Sequence, residues 1–122
     1  MLLVDTSIWI DHFRKENPRL SASLVCRQVL IHDFVLGELA LGGALRFDEI
    51  AQDLADLPNA TMAAPAEVLR LISRQALAGS GIGYVDAHLV ASTLLMPDCR
   101  LWTGDKKLRA VAERLSIAAE VE

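Results

Sequence analysis

Short apolar runs alternate along this chain with longer segments in which apolar residues recur at helical spacing. Strands are predicted at residues 2–4, 29–31 and 101–103, with a final short strand at 116–118 and a weaker candidate at 61–63. Helices are predicted over residues 8–13, 34–44, 47–57 and 84–96, and two more begin at Pro65 and just after Asp105. This alternation is typical of an α/β sandwich in which helices flank a central, mainly parallel sheet.

Two acidic residues come at the ends of predicted strands. Asp5 follows the run LLV, and Asp105 follows LWT after a single glycine. Ligands of parallel sheets bind outside the carboxyl ends of the strands, so we expect Asp5 and Asp105 at the same edge of the sheet. Each could equally serve only as the N-cap of the helix that follows, and position alone does not separate the two roles.

Composition and charge narrow the class of protein. The 122 residues are 52% hydrophobic, which fits one folded domain over residues 1–122. We expect a cytoplasmic protein without a membrane association, because no apolar run approaches roughly 18 residues and the opening MLLVD lacks the basic region of a signal peptide. Cys26 and Cys99 lack a ligand-like spacing and are interpreted as reduced, largely buried thiols. A net charge of −4 excludes a passive nucleic-acid coat, so any chemistry on nucleic acid needs local positive charge or a bound cation.

Two further carboxylates fall where apolar residues are expected. Glu38 has Phe34, Val35 and Leu41 as helical neighbours, and Asp86 is followed at helical spacing by two apolar residues. An ionised carboxylate on a buried face needs a proton, a basic partner or a metal ion. An arginine partner would be the structural explanation for Glu38, whereas helix capping would not explain it.

The residue types favour a hard cation over zinc. Carboxylate oxygens are the ligands that Mg²⁺ and Mn²⁺ prefer, whereas zinc would need nitrogen or sulfur. His12, His32 and His88 share no ligand spacing, and His88 is two residues from Asp86 and therefore lies on another helix face. We interpret the three histidines as packing or surface residues.

Four segments, in order along the chain, together resemble a known family. They are residues 3–7 (LVDTS), 34–42 (FVLGELALG), 83–92 (GYVDAHLVAS) and 101–108 (LWTGDKKL). Each is a weak signal alone, but four in register over nearly the whole chain are specific. The chain is similar to PIN-domain ribonucleases of the VapC toxin type, which implies a PIN-like three-layer sandwich.

The resemblance also implies a site and a reaction. Asp5, Glu38, Asp86 and Asp105 would bind one or two Mg²⁺ ions, with Mn²⁺ able to substitute and with Asp5 and Asp86 as the main contacts. Thr6 and Thr103 would support them through hydroxyl hydrogen bonds. The implied activity is endonucleolytic cleavage of RNA that leaves a 5′-phosphate and a 3′-hydroxyl.

The expected partners follow in part from the same resemblance. Such toxins form homodimers, which can belong to a larger toxin–antitoxin complex, and a cognate antitoxin neutralises them. Basic residues just after two of the acidic segments could guide the RNA backbone: Arg14, Lys15, Lys106, Lys107 and Arg109. Trp9 and Trp102 could stack on bases, but their apolar surroundings favour core packing.

Two other functions are alternatives to this interpretation. A phosphoacceptor receiver domain has a similar length and an acidic metal pocket, but it needs paired acids after its first strand, where this chain has only Asp5. The second is a PIN-like module that binds RNA or protein without cutting. The presence of all four acids gives no sign of lost activity.

Overall fold

Three short parallel strands form the centre of the molecule. The computed structural model describes residues 1–43 and 47–120. The strands are β1 (Leu2–Val4), β2 (Val29–Leu30) and β3 (Arg100–Trp102), in the order β2-β1-β3. Leu3 of β1 lies opposite Leu30 on one side and Leu101 on the other, and both pairings are parallel. The central position of β1 places Asp5 between the carboxyl ends of its two neighbours.

Seven helices in the described residues connect and flank these strands. They are α1 (Thr6–Arg14), α2 (Pro18–Val25), α3 (Asp33–Leu41), α4 (Phe47–Ala55), α5 (Pro65–Arg74), α6 (Tyr84–Leu95) and α7 (Lys106–Arg114). The architecture is the predicted α/β sandwich with a parallel sheet. In the described parts of the chain, no helix has the length and apolar character needed to cross a membrane. The predicted end of α3 at Ala44 lies outside the described residues, and the helix as described ends at Leu41.

The sequence predicted some elements incorrectly. Residues 61–63 form no strand; instead Ile31 makes an isolated parallel bridge with Asn59. Residues 116–118 contribute only one bridge, between Ala118 and Leu101. Helix α2 was not predicted, although its start is well marked, because the Asn17 side chain accepts hydrogen bonds from the next two non-proline amides and Pro18 occupies the first turn.

A single main core packs the sheet against α6 and α1. Leu3 and Val4 of the central strand are completely buried, as are Leu89 and Val90 of α6. Burying a side chain of this size contributes roughly 1.5–3 kcal/mol, so these contacts hold α6 firmly against the sheet. Because α6 is buried from Ala87 to Thr93, the core also fixes the first turn of that helix, which carries Asp86.

Candidate active site

Asp5 is the most firmly held of the four carboxylates. It follows β1, is only 5% exposed, and its backbone N–H donates to the Trp102 carbonyl over 2.9 Å. One carboxylate oxygen accepts the Thr6 backbone N–H at 2.8 Å. The other accepts two hydroxyls, from Ser7 at 2.9 Å and from Thr103 at 2.7 Å. A carboxylate has about four acceptor positions, so three are filled and one remains for a ligand.

The same hydroxyls join Asp5 to the loop after β3. The Gly104 N–H donates to the Ser7 hydroxyl at 3.1 Å, and the Asp105 N–H donates to the Thr103 hydroxyl at 3.0 Å. The Ser7 and Thr103 hydroxyls therefore each bridge the Asp5 carboxylate and a backbone amide of this loop. Thr103 thus makes a hydroxyl hydrogen bond to Asp5, and its support of a metal site stays a prediction. Ser7 was missed, and its only signal was its place in the segment DTS, where it was interpreted as part of a helix start.

Glu38 reaches this group of residues from α3. Its side chain is half-buried, and one carboxylate oxygen accepts the Thr6 hydroxyl at 2.7 Å. Thr6 thus supports Glu38 through its hydroxyl and Asp5 through its backbone. The apolar stripe inferred from the sequence is only partly present: Val35 is fully buried, whereas Leu41 is 90% exposed.

A buried histidine positions the helix that carries Glu38. The N-cap of α3 is His32, whose Nδ1 accepts the Phe34 N–H at 3.0 Å. Since Nδ1 accepts, the neutral ring carries its proton on Nε2, which lies 3.0 Å from the Ser92 hydroxyl on α6. Burial lowers the pKa of His32, which favours this neutral form. His32 therefore links the helix of Glu38 to the helix of Asp86.

Asp86 has the electrostatic environment that characterises the site. It lies in the first turn of α6, half-buried, and one oxygen accepts the Gly83 N–H at 3.1 Å. Burial raises the pKa of Asp86. The Gly83 hydrogen bond opposes this, and the negative charges of the other three acids, Asp5, Asp105 and Glu38, raise it further. The other three carboxylates are therefore all close enough to Asp86 for their charges to act on it.

Asp105 is the most exposed member of the group. It is the N-cap of α7, and one of its oxygens accepts the Leu108 N–H at 2.9 Å. Asp5 and Asp105 each cap a helix, and the negative charge of each also raises the pKa of Asp86, so a role as metal ligand stays a prediction beside the capping role. Capping uses one oxygen of Asp105 and leaves the second oxygen free to interact with water or a ligand.

The donor set fits a divalent ion in charge and in chemistry. None of the four acids forms an ion pair with a described basic side chain, so their repulsion is not compensated from within residues 1–43 and 47–120. Carboxylate oxygens backed by hydroxyls are suitable ligands for Mg²⁺ or Mn²⁺. Within the described residues, however, no three acidic, histidine or cysteine side chains are close enough to form a metal centre as they stand. Binding would need the side chains of the less restrained acids, Glu38, Asp86 and Asp105, to move together.

Other candidates from the sequence lie at the surface or in the core. Arg14, Lys15, Lys106 and Lys107 are all exposed and free to meet a ligand, whereas Arg109 pairs with Glu113 at 3.2 Å. Trp9 and Trp102 are buried, as core packing predicts. Cys99 is buried as expected, but the expectation for Cys26 was wrong because this thiol is exposed. None of the four acids lines the cavity of about 680 Å³ beside Arg100 and Ser116.

Comparison with known proteins assigns the sequence to a family. The model of the PIN domain matches residues 2–114, which include all four acids. The chain belongs to the PIN-domain family. Two curated relatives from Mycobacterium tuberculosis, strains CDC 1551/Oshkosh and ATCC 25618/H37Rv, both named Ribonuclease VapC32, are 41% identical over 122 residues. The match covers 100% of this chain and 98% of each relative. Membership of the PIN-domain family excludes the receiver-domain alternative.

Proposed function

We propose that this PIN domain is a VapC-type endoribonuclease toxin whose activity requires a divalent ion held by Asp5, Glu38, Asp86 and Asp105. Mg²⁺ is the proposed ion, and Mn²⁺ should substitute because it takes the same oxygen ligands. The ribonuclease activity is supported by the relatives named Ribonuclease VapC32, which match over the full length of the chain. The metal and the four ligands are supported by the local chemistry.

One observation carries the metal proposal. The charges of Asp5, Glu38 and Asp105 all act on Asp86, and no described basic side chain neutralises them by an ion pair. A group of acids that serves only the fold would not be arranged to repel, because repulsion destabilises the folded state. A divalent cation converts the same arrangement into a favourable one.

The chain's own residues provide the remaining requirements for hydrolysis. A divalent ion bound here supplies charge neutralisation at the phosphate and makes water more acidic. Asp5 is restrained by three hydrogen bonds, so its remaining acceptor position has a defined direction. Glu38 uses only one oxygen for Thr6, and its other oxygen can accept the proton of the attacking water. Asp105 is the second candidate for this proton, through its uncapped oxygen.

The bond changes follow from attack of water on phosphorus. A new bond forms between the water oxygen and phosphorus, and the bond from phosphorus to the 3′ oxygen breaks. The 3′ oxygen then takes up a proton, which leaves a 3′-hydroxyl and a 5′-phosphate. Arg14, Lys15, Lys106 and Lys107 are proposed to attract the RNA backbone, since the chain as a whole carries a net charge of −4.

The proposed partners are RNA, a cognate antitoxin and a second copy of the chain. A basic antitoxin side chain placed among the four acids would block the site by charge complementarity. We further propose that residues 1–122 form a single PIN domain that acts in the cytoplasm as a homodimer. These partners rest on family similarity.

The test is RNA cleavage by the purified protein. We expect cleavage with Mg²⁺ or Mn²⁺, loss of cleavage in excess EDTA, and recovery when metal is restored. Asp5→Ala and Asp86→Ala should remove activity while circular dichroism shows a folded chain. Asp53→Ala is the matched control, because Asp53 is an exposed acid on α4 and should leave the rate unchanged. Undiminished cleavage in both site variants, or in EDTA, would overturn the proposal.

A further inference from the structure

A small apolar cavity adjoins Asp86. Its volume is about 240 Å³, and it lies between the end of α5, the glycine-containing loop and the first turn of α6. Its apolar walls include Ile72, Leu77, Ile82 and Ala87. None of the proposed catalytic carboxylates lines it, so it is separate from the acidic site itself.

The cavity and the acidic site share a wall. Gly83 lines the cavity, and its backbone N–H donates to the Asp86 carboxylate at 3.1 Å. A molecule in the cavity would therefore lie next to any group bound at Asp86. With a divalent ion at the acidic site, a ligand that has an apolar part and an anionic part could occupy both places at once. Its apolar part would lie in the cavity and its anionic part at the acidic site.

Lys107 lies across the loop that forms another wall. Gly81 has a φ of +88°, and a Cβ added there would lie 2.6 Å from the Lys107 Cδ and 3.1 Å from its Nζ. The lysine stem therefore packs on the glycine backbone, and its ammonium group lies close to Gly81, which lines the cavity. The glycine serves both the backbone conformation and this close approach.

Tyr84 provides an exposed aromatic ring at the cavity mouth. It lines the cavity and remains 50% exposed. Its ring makes an edge contact with His88 at 4.7 Å between centroids, and the buried His88 ring makes a similar contact with Phe34 at 4.7 Å. The buried His88 ring and the partly buried Phe34 ring behind it support Tyr84 on one side, while Tyr84 itself stays half-exposed to a ligand.

We propose that this cavity and Tyr84 bind an unpaired nucleobase of the RNA next to the phosphate that is cleaved. The proposal rests on the proposed function and adds a specificity-determining residue to it. Proteins read single-stranded RNA by stacking unpaired bases on aromatic side chains. Lys107 would contact a backbone phosphate beside that base, as its charge requires.

The combination of groups favours a nucleotide over an apolar protein segment. An apolar segment would fill the cavity but would leave the Lys107 ammonium and the metal-neutralised acids without a partner. A nucleotide suits all three parts of this surface. Its flat base fits the cavity beside Tyr84, and its anionic phosphates suit the Lys107 ammonium and the metal-neutralised acids. Trp9 and Trp102 are buried and cannot take this stacking role.

The experiment compares three Tyr84 variants in steady-state cleavage of a single-stranded RNA. Tyr84→Phe keeps the ring, whereas Tyr84→Leu keeps apolar bulk without it, and Tyr84→Ala removes both. We expect Tyr84→Leu and Tyr84→Ala to raise KM about tenfold or more with kcat changed less than about twofold, and Tyr84→Phe to stay near the native values. Leu69→Ala is the control, because Leu69 is 60% exposed on α5 and does not line the cavity.

A second measurement detects the stacking directly. An RNA with 2-aminopurine near its cleavage site should lose fluorescence on binding to the native protein and to Tyr84→Phe, with Ca²⁺ in place of Mg²⁺. Tyr84→Leu should bind the same RNA with little loss of 2-aminopurine fluorescence. Normal cleavage with equal KM in the native protein and Tyr84→Leu would overturn this inference while leaving the ribonuclease intact. Absence of metal-dependent cleavage in the native protein would instead overturn the proposed function.

Discussion

Replacing Thr103 by valine tests whether a buried hydroxyl orients Asp5. Thr103 is 5% exposed, and its hydroxyl both donates to the Asp5 carboxylate at 2.7 Å and accepts the Asp105 N–H at 3.0 Å. Valine has nearly the same shape but cannot make either hydrogen bond. The buried carboxylate would keep only Thr6 and Ser7 as donors. Thr103→Ser is the matched control, since it keeps the hydroxyl and loses one methyl group.

The expected loss of stability follows from these two hydrogen bonds. A hydrogen bond to a charged group contributes about 1.5–3 kcal/mol, and one between neutral groups about 0.5–1.5 kcal/mol. We therefore expect Thr103→Val to lower the free energy of unfolding by about 2–4 kcal/mol. For a chain of 122 residues, each kcal/mol lowers Tm by roughly 4 °C, so the decrease should be roughly 8–16 °C. Thr103→Ser should cost about 1 kcal/mol, the value of one buried methyl group.

Thermal unfolding with and without Mn²⁺ separates the structural role from the role in the site. A ligand that binds the folded state raises Tm, and the rise reports its affinity. If Thr103 orients Asp5, the rise caused by Mn²⁺ should be smaller in Thr103→Val than in the native protein or Thr103→Ser. RNA cleavage by Thr103→Val should decrease at least about tenfold at a temperature where the variant is folded, about 1.4 kcal/mol of transition-state stabilisation. The reasoning is refuted if Thr103→Val matches Thr103→Ser in stability, metal response and activity.

Three further predictions concern other parts of the site. Burial lowers the pKa of His32, so the unfolded chain takes up the proton first, and the stability of the native protein should fall relative to His32→Asn as pH decreases below about 6.5. Urea unfolding at pH 7.5 and 5.5 measures this, and a pH-independent difference would contradict it. Ser7→Ala removes a donor to Asp5 and the acceptor of the Gly104 N–H, and it should slow cleavage several-fold in single-turnover assays; a native rate would show that Ser7 is dispensable. Lys106→Gln should weaken RNA binding and reduce the slope of log K against log salt by about 0.7–0.9 if Lys106 contacts one phosphate, and an unchanged slope would remove it from the interface.

The sequence predicted the fold because the elements that carry it are strongly patterned. Leu3 and Val4 before Asp5 are buried, and so is the stretch from Ala87 to Thr93 in the long apolar helix that contains Asp86, so burial determines the type and place of these two elements. The predictions failed where the hydrophobic pattern of the sequence is weak. Residues 61–63 form no strand, and the single bridge beyond the end of β2 joins Ile31 to Asn59 instead. Helix α2 has an Asn-Pro start, which was interpreted only as the end of α1.

The sequence allowed us to propose the residues of the candidate site, but not the contacts between them. Glu38 was singled out because it falls among apolar residues, and the half-burial of its side chain agrees with that argument. The hydrogen bonds of Ser7 with Gly104 and of His32 with Ser92 join residues far apart in the chain. Sequence spacing contains no information about such pairs, because they depend on how the loop after β3 and helix α6 pack in three dimensions.

Binding of Mn²⁺ to the RNA-free protein is the most direct test of the central claim that the four carboxylates form one metal site. Isothermal titration of the native chain should show saturable binding, and Asp86→Asn should bind at least about tenfold more weakly although it stays folded. The same variant should be at least as stable as the native protein without metal, because it removes a carboxylate that three others repel. Equal Mn²⁺ affinity in the native chain and Asp86→Asn would contradict the account.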